Sequence, residues 1–185
     1  MKIGVFVGSF NPPHDGHIKI AKHLINKKIV DIILLLPTPG YWNKQDLVDV
    51  RHRINMLKIY EEDKIIVDDI HNDYPYTYLV LNSLKKDYQD DDLYLILGSD
   101  NIFNLNKWKN INEILQYKII VINRGDNIIK INSYIEKLGK SHFILINNFS
   151  YINISSSEIR NGRRENINPK IISYIEKNKL YKNNY

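Results

Sequence analysis

Two histidines three residues apart follow a short apolar run near the start of the chain. The run KIGVFV over residues 2–7 predicts a buried strand, and the next ten residues read GSFNPPHDGH. A helical pattern, IKIAKHLI, follows, so His14 and His17 share one face of the first helical turns and lean toward the loop. Free amides at a helix N-terminus attract anions, and two imidazoles can donate hydrogen bonds to phosphate oxygens. The segment therefore predicts a phosphate site.

Glycine and proline frame this loop. Gly8 allows the backbone to approach a ligand closely. Asn11 followed by Pro12 predicts the start of the helix, because asparagine is a good N-cap and proline suits the first helical position. The loop has neither the Walker A pattern nor the Gly-x-Gly-x-x-Gly pattern. Two metal ligands or two surface histidines are the alternatives, and the position after the first strand favours the phosphate site.

A second candidate anion site lies near the end of the chain. Residues 154–160 read ISSSEIR, in which Ser155 and Glu158 fit a capping box and predict a helix that begins at 155. The amides of that helix, the hydroxyls of Ser156 and Ser157, and the guanidinium of Arg160 could hold phosphate groups. A capped surface helix without a ligand is the alternative.

The two segments together resemble the signature of the His-x-Gly-His nucleotidyltransferase superfamily. GSFNP with His14-x-Gly16-His17 resembles its first motif, and ISSSEIR resembles its Ile-Ser-Ser-Thr-x-Ile-Arg motif, with Ser157 in place of threonine. The superfamily contains nicotinate- and nicotinamide-mononucleotide adenylyltransferases, phosphopantetheine adenylyltransferase, cytidylyltransferases and class I aminoacyl-tRNA synthetases.

Further residues resemble the pyridine-nucleotide branch of that superfamily. LGSD over residues 97–100, followed by Trp108, resembles its Gly-x-Asp and tryptophan pattern, and the PYT segment that ends at Thr77 partly resembles its pyridine-binding segment. Asp100 could accept hydrogen bonds from a ribose, and Trp108 could stack on a pyridine ring. A helix N-cap for Asp100 and a core position for Trp108 are the alternatives. Arg124 fits a further family position near the phosphates.

The resemblance implies a reaction and a set of site residues. It implies transfer of the adenylyl group of ATP to nicotinate mononucleotide, giving deamido-NAD and pyrophosphate, with Mg²⁺ carried by ATP and no protein-held metal. The implied catalytic residues are His14, His17 and Arg160. The implied ATP-binding residues are Gly8, Ser9, Phe10, His14, His17, Arg124, Ile154, Ser155, Ser156 and Arg160. The implied mononucleotide-binding residues are Asn11, Lys44, Thr77, Gly98, Asp100 and Trp108.

The segment after the second predicted strand departs from the bacterial pattern. It reads PTPGYWNK over residues 37–44, where the bacterial enzymes have Pro-Pro-His-Lys, and RHR follows at residues 51–53. This spacing is similar to that of the nicotinamide-mononucleotide enzymes, so an adenylyltransferase specific for the amide, or one that accepts both mononucleotides, is an alternative. Phosphopantetheine adenylyltransferase is the second alternative. A basic nucleic-acid-binding protein is the alternative from a different class, but the dispersed lysines disfavour it.

Alternating apolar runs and amphipathic stretches must position these residues. Strands are predicted at residues 2–7, 30–36, 64–67, 93–97, 117–122 and 142–146. Helical spacing fills the intervals, and Pro169 opens a last helix. The pattern predicts an α/β fold, a Rossmann-like doubly wound parallel sheet with helices on both faces and a short C-terminal helical segment, as a single domain over residues 1–185. Ligands of such sheets bind beyond the carboxyl ends of the strands, so chemistry is expected after residues 7, 36, 97 and 122.

Composition narrows the class of protein further. The 185 residues contain no cysteine, which excludes a disulfide framework, a thiolate zinc site and a cysteine nucleophile. The net charge of +5 suits an anionic partner, although no block of five like charges occurs. No segment approaches the ~20 apolar residues of a membrane helix, so a cytoplasmic protein is expected. The expected partners are ATP and nicotinate mononucleotide, without nucleic acid or membrane, and a homo-oligomer is left open.

Overall fold

Six parallel strands form one sheet in the order β3-β2-β1-β4-β5-β6. The computed structural model describes residues 1–39 and 47–181. The strands are β1 (Lys2–Gly8), β2 (Ile32–Pro37), β3 (Ile65–Val67), β4 (Asp92–Gly98), β5 (Lys118–Ile122) and β6 (Phe143–Ile146). The sequence prediction of all six strands is confirmed, because continuous apolar runs are what a sheet covered on both faces requires.

Helices connect the strands and cover both faces of the sheet. The helices are α1 (Asp15–Asn26), α2 (Val50–Lys58), α3 (Thr77–Asp87), α4 (Ser99–Ile102), α5 (Ile111–Ile114), α6 (Ile128–Leu138), α7 (Ser156–Arg160) and α8 (Pro169–Lys177). Short 3-10 turns lie at Leu105–Lys107 and Lys140–His142. Among the described helices, none is long and apolar enough to cross a membrane.

Two apolar cores hold the layers together, one on each face of the sheet. Leu24 of α1, Leu57 of α2 and Ile171 of α8 are fully buried in the first core. Leu81 of α3 and Ile131 of α6 are fully buried in the second. The α/β, Rossmann-like, doubly wound class predicted from the sequence is therefore confirmed, with α8 as the C-terminal helical segment.

The predicted start of the first helix is wrong. Helix α1 begins at Asp15, with His14 rather than Asn11 as its N-cap, and Pro12 lies outside the helix. Asn11 is buried and its carbonyl and amide oxygens serve tertiary contacts instead. Asparagine is a common N-cap, but the long-range hydrogen bonds of Asn11 keep this residue in the loop before the helix.

Strand order reverses between β1 and β4, because the chain passes from β1 outward to β2 and β3 and then returns to the other side of β1. The carboxyl ends of these neighbouring strands form the crevice where doubly wound sheets bind ligands. Val7, Pro39, Leu97 and Arg124 follow or end four of the strands and line cavities at this edge. Cavities therefore lie at the edge where the sequence places the chemistry.

Candidate active site

Two adjoining cavities open at the carboxyl edge of the sheet. The larger has a volume of about 700 Å³ and the smaller about 120 Å³. Val7, Gly8 and Asn101 belong to the walls of both, so the end of β1 separates them. A ligand in one cavity would therefore lie beside a ligand in the other.

The sequence-predicted residues divide between the two cavities. Those in the wall of the smaller cavity are Gly8, Phe10, His14, His17, Gly98 and Arg124. Those in the wall of the larger cavity are Gly8, Ser9, Thr77, Asp100 and Trp108. Ser9, which the resemblance assigned to ATP, lines the larger cavity, and Gly98, assigned to the mononucleotide, lines the smaller one. Lys44 lies outside the described residues.

His14 and His17 form a stacked pair at the start of α1. Their ring centroids are 3.7 Å apart with an interplanar angle of 27°, and the His14 backbone N–H donates to Nδ1 of His17 over 3.2 Å. In the neutral ring, this bond places the His17 proton on Nε2. The sequence prediction that the two imidazoles lie together at the mouth of the loop is confirmed.

Both imidazoles are held neutral by their surroundings. Burial, together with the positive charge of Arg124, lowers the pKa of His14 to about 4. Burial also lowers the pKa of His17 well below its usual value, with His14 and Arg124 adding to the effect. The pair therefore offers hydrogen bonds to an anion and no net charge.

Gly16 makes room for the His14 ring. A Cβ at Gly16 would lie 2.9 Å from His14 Nδ1 and 3.2 Å from a methyl group of Ile154, which is closer than carbon atoms normally approach. That Nδ1 is buried, and among the described residues it has no hydrogen-bond partner. The glycine between the histidines thus serves the packing of the pair.

Arg124 supplies positive charge beside the histidines. Its backbone N–H donates to Ser99 Oγ over 3.0 Å, and Ser99 in turn donates to the carboxylate of Asp126. Its guanidinium lies 4.0 Å from the carboxylate of Asp100, and the Arg124 side chain is 37% exposed. These hydrogen bonds fix the backbone at Arg124, while its partly exposed side chain lines the smaller cavity.

Asp100 does not cap a helix. Gly98 is the N-cap of α4, and Asp100 lies in its first turn with its side chain 62% exposed. Trp108 is half-buried, packs against the core and also lines the larger cavity. The cavity position and the core position proposed for Trp108 are thus both observed.

Arg53 is a buried arginine that contacts the first loop. The sequence reasoning gave it no role. Arg53 of α2 is 1% exposed and donates to the carbonyls of Ser9 over 2.8 Å, Thr38 over 2.7 Å and Val48 over 3.0 Å. It joins the segments that follow β1 and β2. The sequence reasoning used Arg53 only as part of the RHR spacing, and its contacts with the loop are visible only in the structure.

The capping box predicted at Ser155 and Glu158 is confirmed, and Ser155 is the N-cap of α7. Ser156 Oγ donates to the Pro12 carbonyl over 2.8 Å, and Arg160 donates to the Asn11 carbonyl over 2.7 Å. These side chains fasten α7 to the first loop. The four α7-segment residues assigned to ATP are not among the described residues that line the cavities: Ile154, Ser155, Ser156 and Arg160.

Two cavity residues carried no signal in the sequence reasoning. Tyr151 lines the smaller cavity, and its hydroxyl oxygen would lie 2.9 Å from a Cβ at Gly125. Asn101 lines both cavities. Neither residue belongs to a recognisable sequence motif.

Within the described part of the chain, no group of three or more His, Cys, Asp or Glu side chains could hold a metal ion.

Comparison with known proteins decides the family. The cytidylyltransferase-like family model matches residues 5–162. A probable nicotinate-nucleotide adenylyltransferase of Caldicellulosiruptor saccharolyticus is 37% identical, over 98% of this chain and 100% of the relative. The chain belongs to the nicotinate-nucleotide adenylyltransferase family. This nucleotidyltransferase is also 34% identical to the probable nicotinate-nucleotide adenylyltransferase of Flavobacterium johnsoniae, over 98% of the chain and 100% of the relative.

Solved structures agree with the family assignment. Plasmodium falciparum nicotinic acid mononucleotide adenylyltransferase, complexed with NaAD, has a TM-score of 0.80 and 26% identity to this nucleotidyltransferase, covering 98% of this chain and 97% of that chain. The same enzyme complexed with APC has a TM-score of 0.78. The resemblance recognised in the sequence is confirmed.

Proposed function

We propose that this adenylyltransferase joins the adenylyl group of ATP to nicotinate mononucleotide, releasing pyrophosphate and forming deamido-NAD. The observation that carries the proposal is the pair of cavities that meet at Gly8, with two neutral histidines in the wall of the smaller one. The names of the relatives and of the solved neighbours support the same pair of substrates.

The smaller cavity suits the reacting end of ATP. A phosphate oxygen of the mononucleotide would attack the α-phosphorus in line, the bond to the leaving pyrophosphate would break, and no protein nucleophile is needed. Nε2–H of His17 would donate to the α-phosphate as negative charge grows there, while Arg124 supplies the positive charge. Mg²⁺ would enter with ATP as part of the substrate and would supply positive charge to the phosphate groups.

The larger cavity suits the mononucleotide. Trp108 offers a flat face for the pyridine ring, and Asp100 lies in the same wall, where it could accept from a ribose hydroxyl. Lys107 and Lys109 flank the tryptophan and also line the cavity. Positive charge near the ring favours the carboxylate of nicotinate over the neutral amide of nicotinamide.

Positioning should account for most of the rate. Holding two phosphorylated substrates in line can contribute roughly 7–11 kcal/mol to the barrier reduction. Asn11 and Arg160, which were assigned direct contacts from the resemblance, bond to each other in this structure and would shape the loop around the substrates.

The test is product formation from MgATP with each mononucleotide separately. We expect dinucleotide and pyrophosphate in equal amounts, with a higher kcat/KM for nicotinate mononucleotide. Equal kcat/KM values would show that the lysines do not select the substituent. Product with 4′-phosphopantetheine alone would overturn the proposed substrate, and chelation of Mg²⁺ should abolish the reaction.

A further inference from the structure

Tyr181 brings the end of the described chain back to the first loop. It lies beyond α8, yet its hydroxyl donates to Oδ1 of Asn11 over 2.8 Å, across 170 positions of sequence. The turn before it is tied to α8, because the Leu180 N–H donates to the Ile175 carbonyl over 3.0 Å. Leu180 and Tyr181 also pack against the first core. The phenol is therefore held against the loop by a folded segment.

Asn11 is the point where three distant parts of the chain meet. Its side-chain oxygen accepts from the Val48 N–H over 3.3 Å as well as from Tyr181, and its carbonyl accepts from Arg160 over 2.7 Å. Gly8, in the wall of both cavities, lies three residues before Asn11, and His14 lies three residues after it. A shift of Asn11 would therefore move both ends of the loop between Gly8 and His14.

The Tyr181 hydroxyl stays a donor at any working pH. Burial raises the pKa of Tyr181 above its ordinary value of about 10, while the charges of Arg160 and Arg53 act in the opposite direction. Both arginines thus face the phenol, and both also donate to carbonyls of the loop. Tyr181 and Arg160 therefore bond to Asn11, and Arg53 bonds to Ser9, two residues earlier in the same loop.

We propose that Tyr181 is a positioning residue for adenylyl transfer, and that it acts through Asn11 on the loop between Gly8 and His14. The proposal rests on the proposed function, since it assumes that this loop holds the reacting phosphates. Small displacements of such a loop are costly because the attack requires in-line geometry.

The first test compares two phenylalanine variants of the same terminal segment. Tyr181→Phe keeps the ring and removes the hydroxyl, and we expect kcat/KM to fall roughly three- to tenfold, with a higher KM for MgATP. Tyr174→Phe is the matched control, because its hydroxyl bonds to His52 over 2.9 Å and Asn55 over 3.0 Å, away from the loop. A loss of folded protein alone would lower the apparent kcat and leave KM unchanged. Identical KM values in both variants and the parent would overturn the proposal.

The second test is a double-mutant cycle with Asn11→Ala. If Tyr181 acts through Asn11, Tyr181→Phe should have little further effect once Asn11 is alanine. Losses that multiply independently would contradict the proposal.

Hydrogen exchange without substrate separates this inference from the proposed function. In Tyr181→Phe we expect faster amide exchange in residues 9–17, whereas Tyr174→Phe should leave that segment unchanged. If the parent protein made no dinucleotide, the proposed function would fail while the exchange result would still test the tie between Tyr181 and the loop. Unchanged exchange would overturn the tie itself.

Discussion

The backbone N–H of His14 donates to Nδ1 of His17 over 3.2 Å, so the cap of α1 also sets the tautomer of the second histidine. The ring centroids are 3.7 Å apart, and in the neutral His17 ring Nε2–H is the donor because Nδ1 accepts. The pair of residues that caps α1 is thus the same pair that we propose as phosphate donors. Changes to either ring should affect catalysis before they affect the fold.

Removal of the His17 imidazole should abolish most turnover. We expect His17→Ala to fold normally and to lose about 100-fold or more in kcat, because a preorganised donor to the developing charge is lost. Initial rates and circular dichroism measure the two effects. His23→Ala, on the same helix but packed on Phe149, is the control and should keep near-parental activity. Full activity of His17→Ala would remove His17 from the mechanism.

The low pKa values predict how activity depends on pH. Since the His14 pKa is about 4 and that of His17 is well below 6.5, both rings stay neutral from pH 8 to 6. We therefore expect no inflexion of kcat/KM near pH 6.5. An activity that rises as a group near 6.5 gains a proton would show that an imidazolium is required.

The same shifts predict how stability depends on pH. In the unfolded chain each histidine takes up a proton near pH 6.5, whereas the folded protein keeps the pair neutral until lower pH. Folding stability should therefore decrease as pH falls from 6.5 toward 4, by about 1.4 kcal/mol per pH unit for each histidine. Urea unfolding at pH 7 and pH 5 measures the change. In His14→Asn the dependence should be shallower.

Substitution of Trp108 should change KM for one substrate and leave KM for the other unchanged. In Trp108→Ala we expect KM for nicotinate mononucleotide to rise about tenfold through loss of stacking, with KM for ATP near the parental value. Trp108→Phe keeps a stacking face and should recover most of the loss. Steady-state kinetics with each substrate varied in turn provides the measurement. Equal effects on both substrates would mean that the core contacts of Trp108 dominate.

Arg53 should be needed for both stability and activity. Arg53→Lys keeps the charge but cannot reach three carbonyls, so we expect a loss of roughly 1–3 kcal/mol for each carbonyl left without a donor. Arg51→Lys is the matched control two residues away, because the Arg51 side chain is 86% exposed. Urea unfolding and kcat/KM should change in the first variant only. Equal stability of the two variants would contradict the role given to Arg53.

Much of the candidate site could be predicted because its signals are local. The His14 and His17 pair, the Ser155 and Glu158 capping box and the Pro169 helix start all depend on neighbours within one turn of helix. Continuous apolar runs predicted the six strands for a similar reason, since each run reports its own burial. The strand alternation then placed the loops after residues 7, 36, 97 and 122 at one edge.

The sequence by itself determined the fold class, the family and the histidine pair, because each depends on short-range pattern and residue type. Only the tertiary structure decided that α1 starts at Asp15, that Arg53 and Tyr181 support the first loop, and that Arg160 bonds to Asn11. These contacts join residues that lie 44 to 170 positions apart in the chain. The acceptors in these contacts are backbone carbonyls and one side-chain amide oxygen. Every sequence contains many such acceptors, so residue type alone cannot show which of them a given arginine or tyrosine contacts.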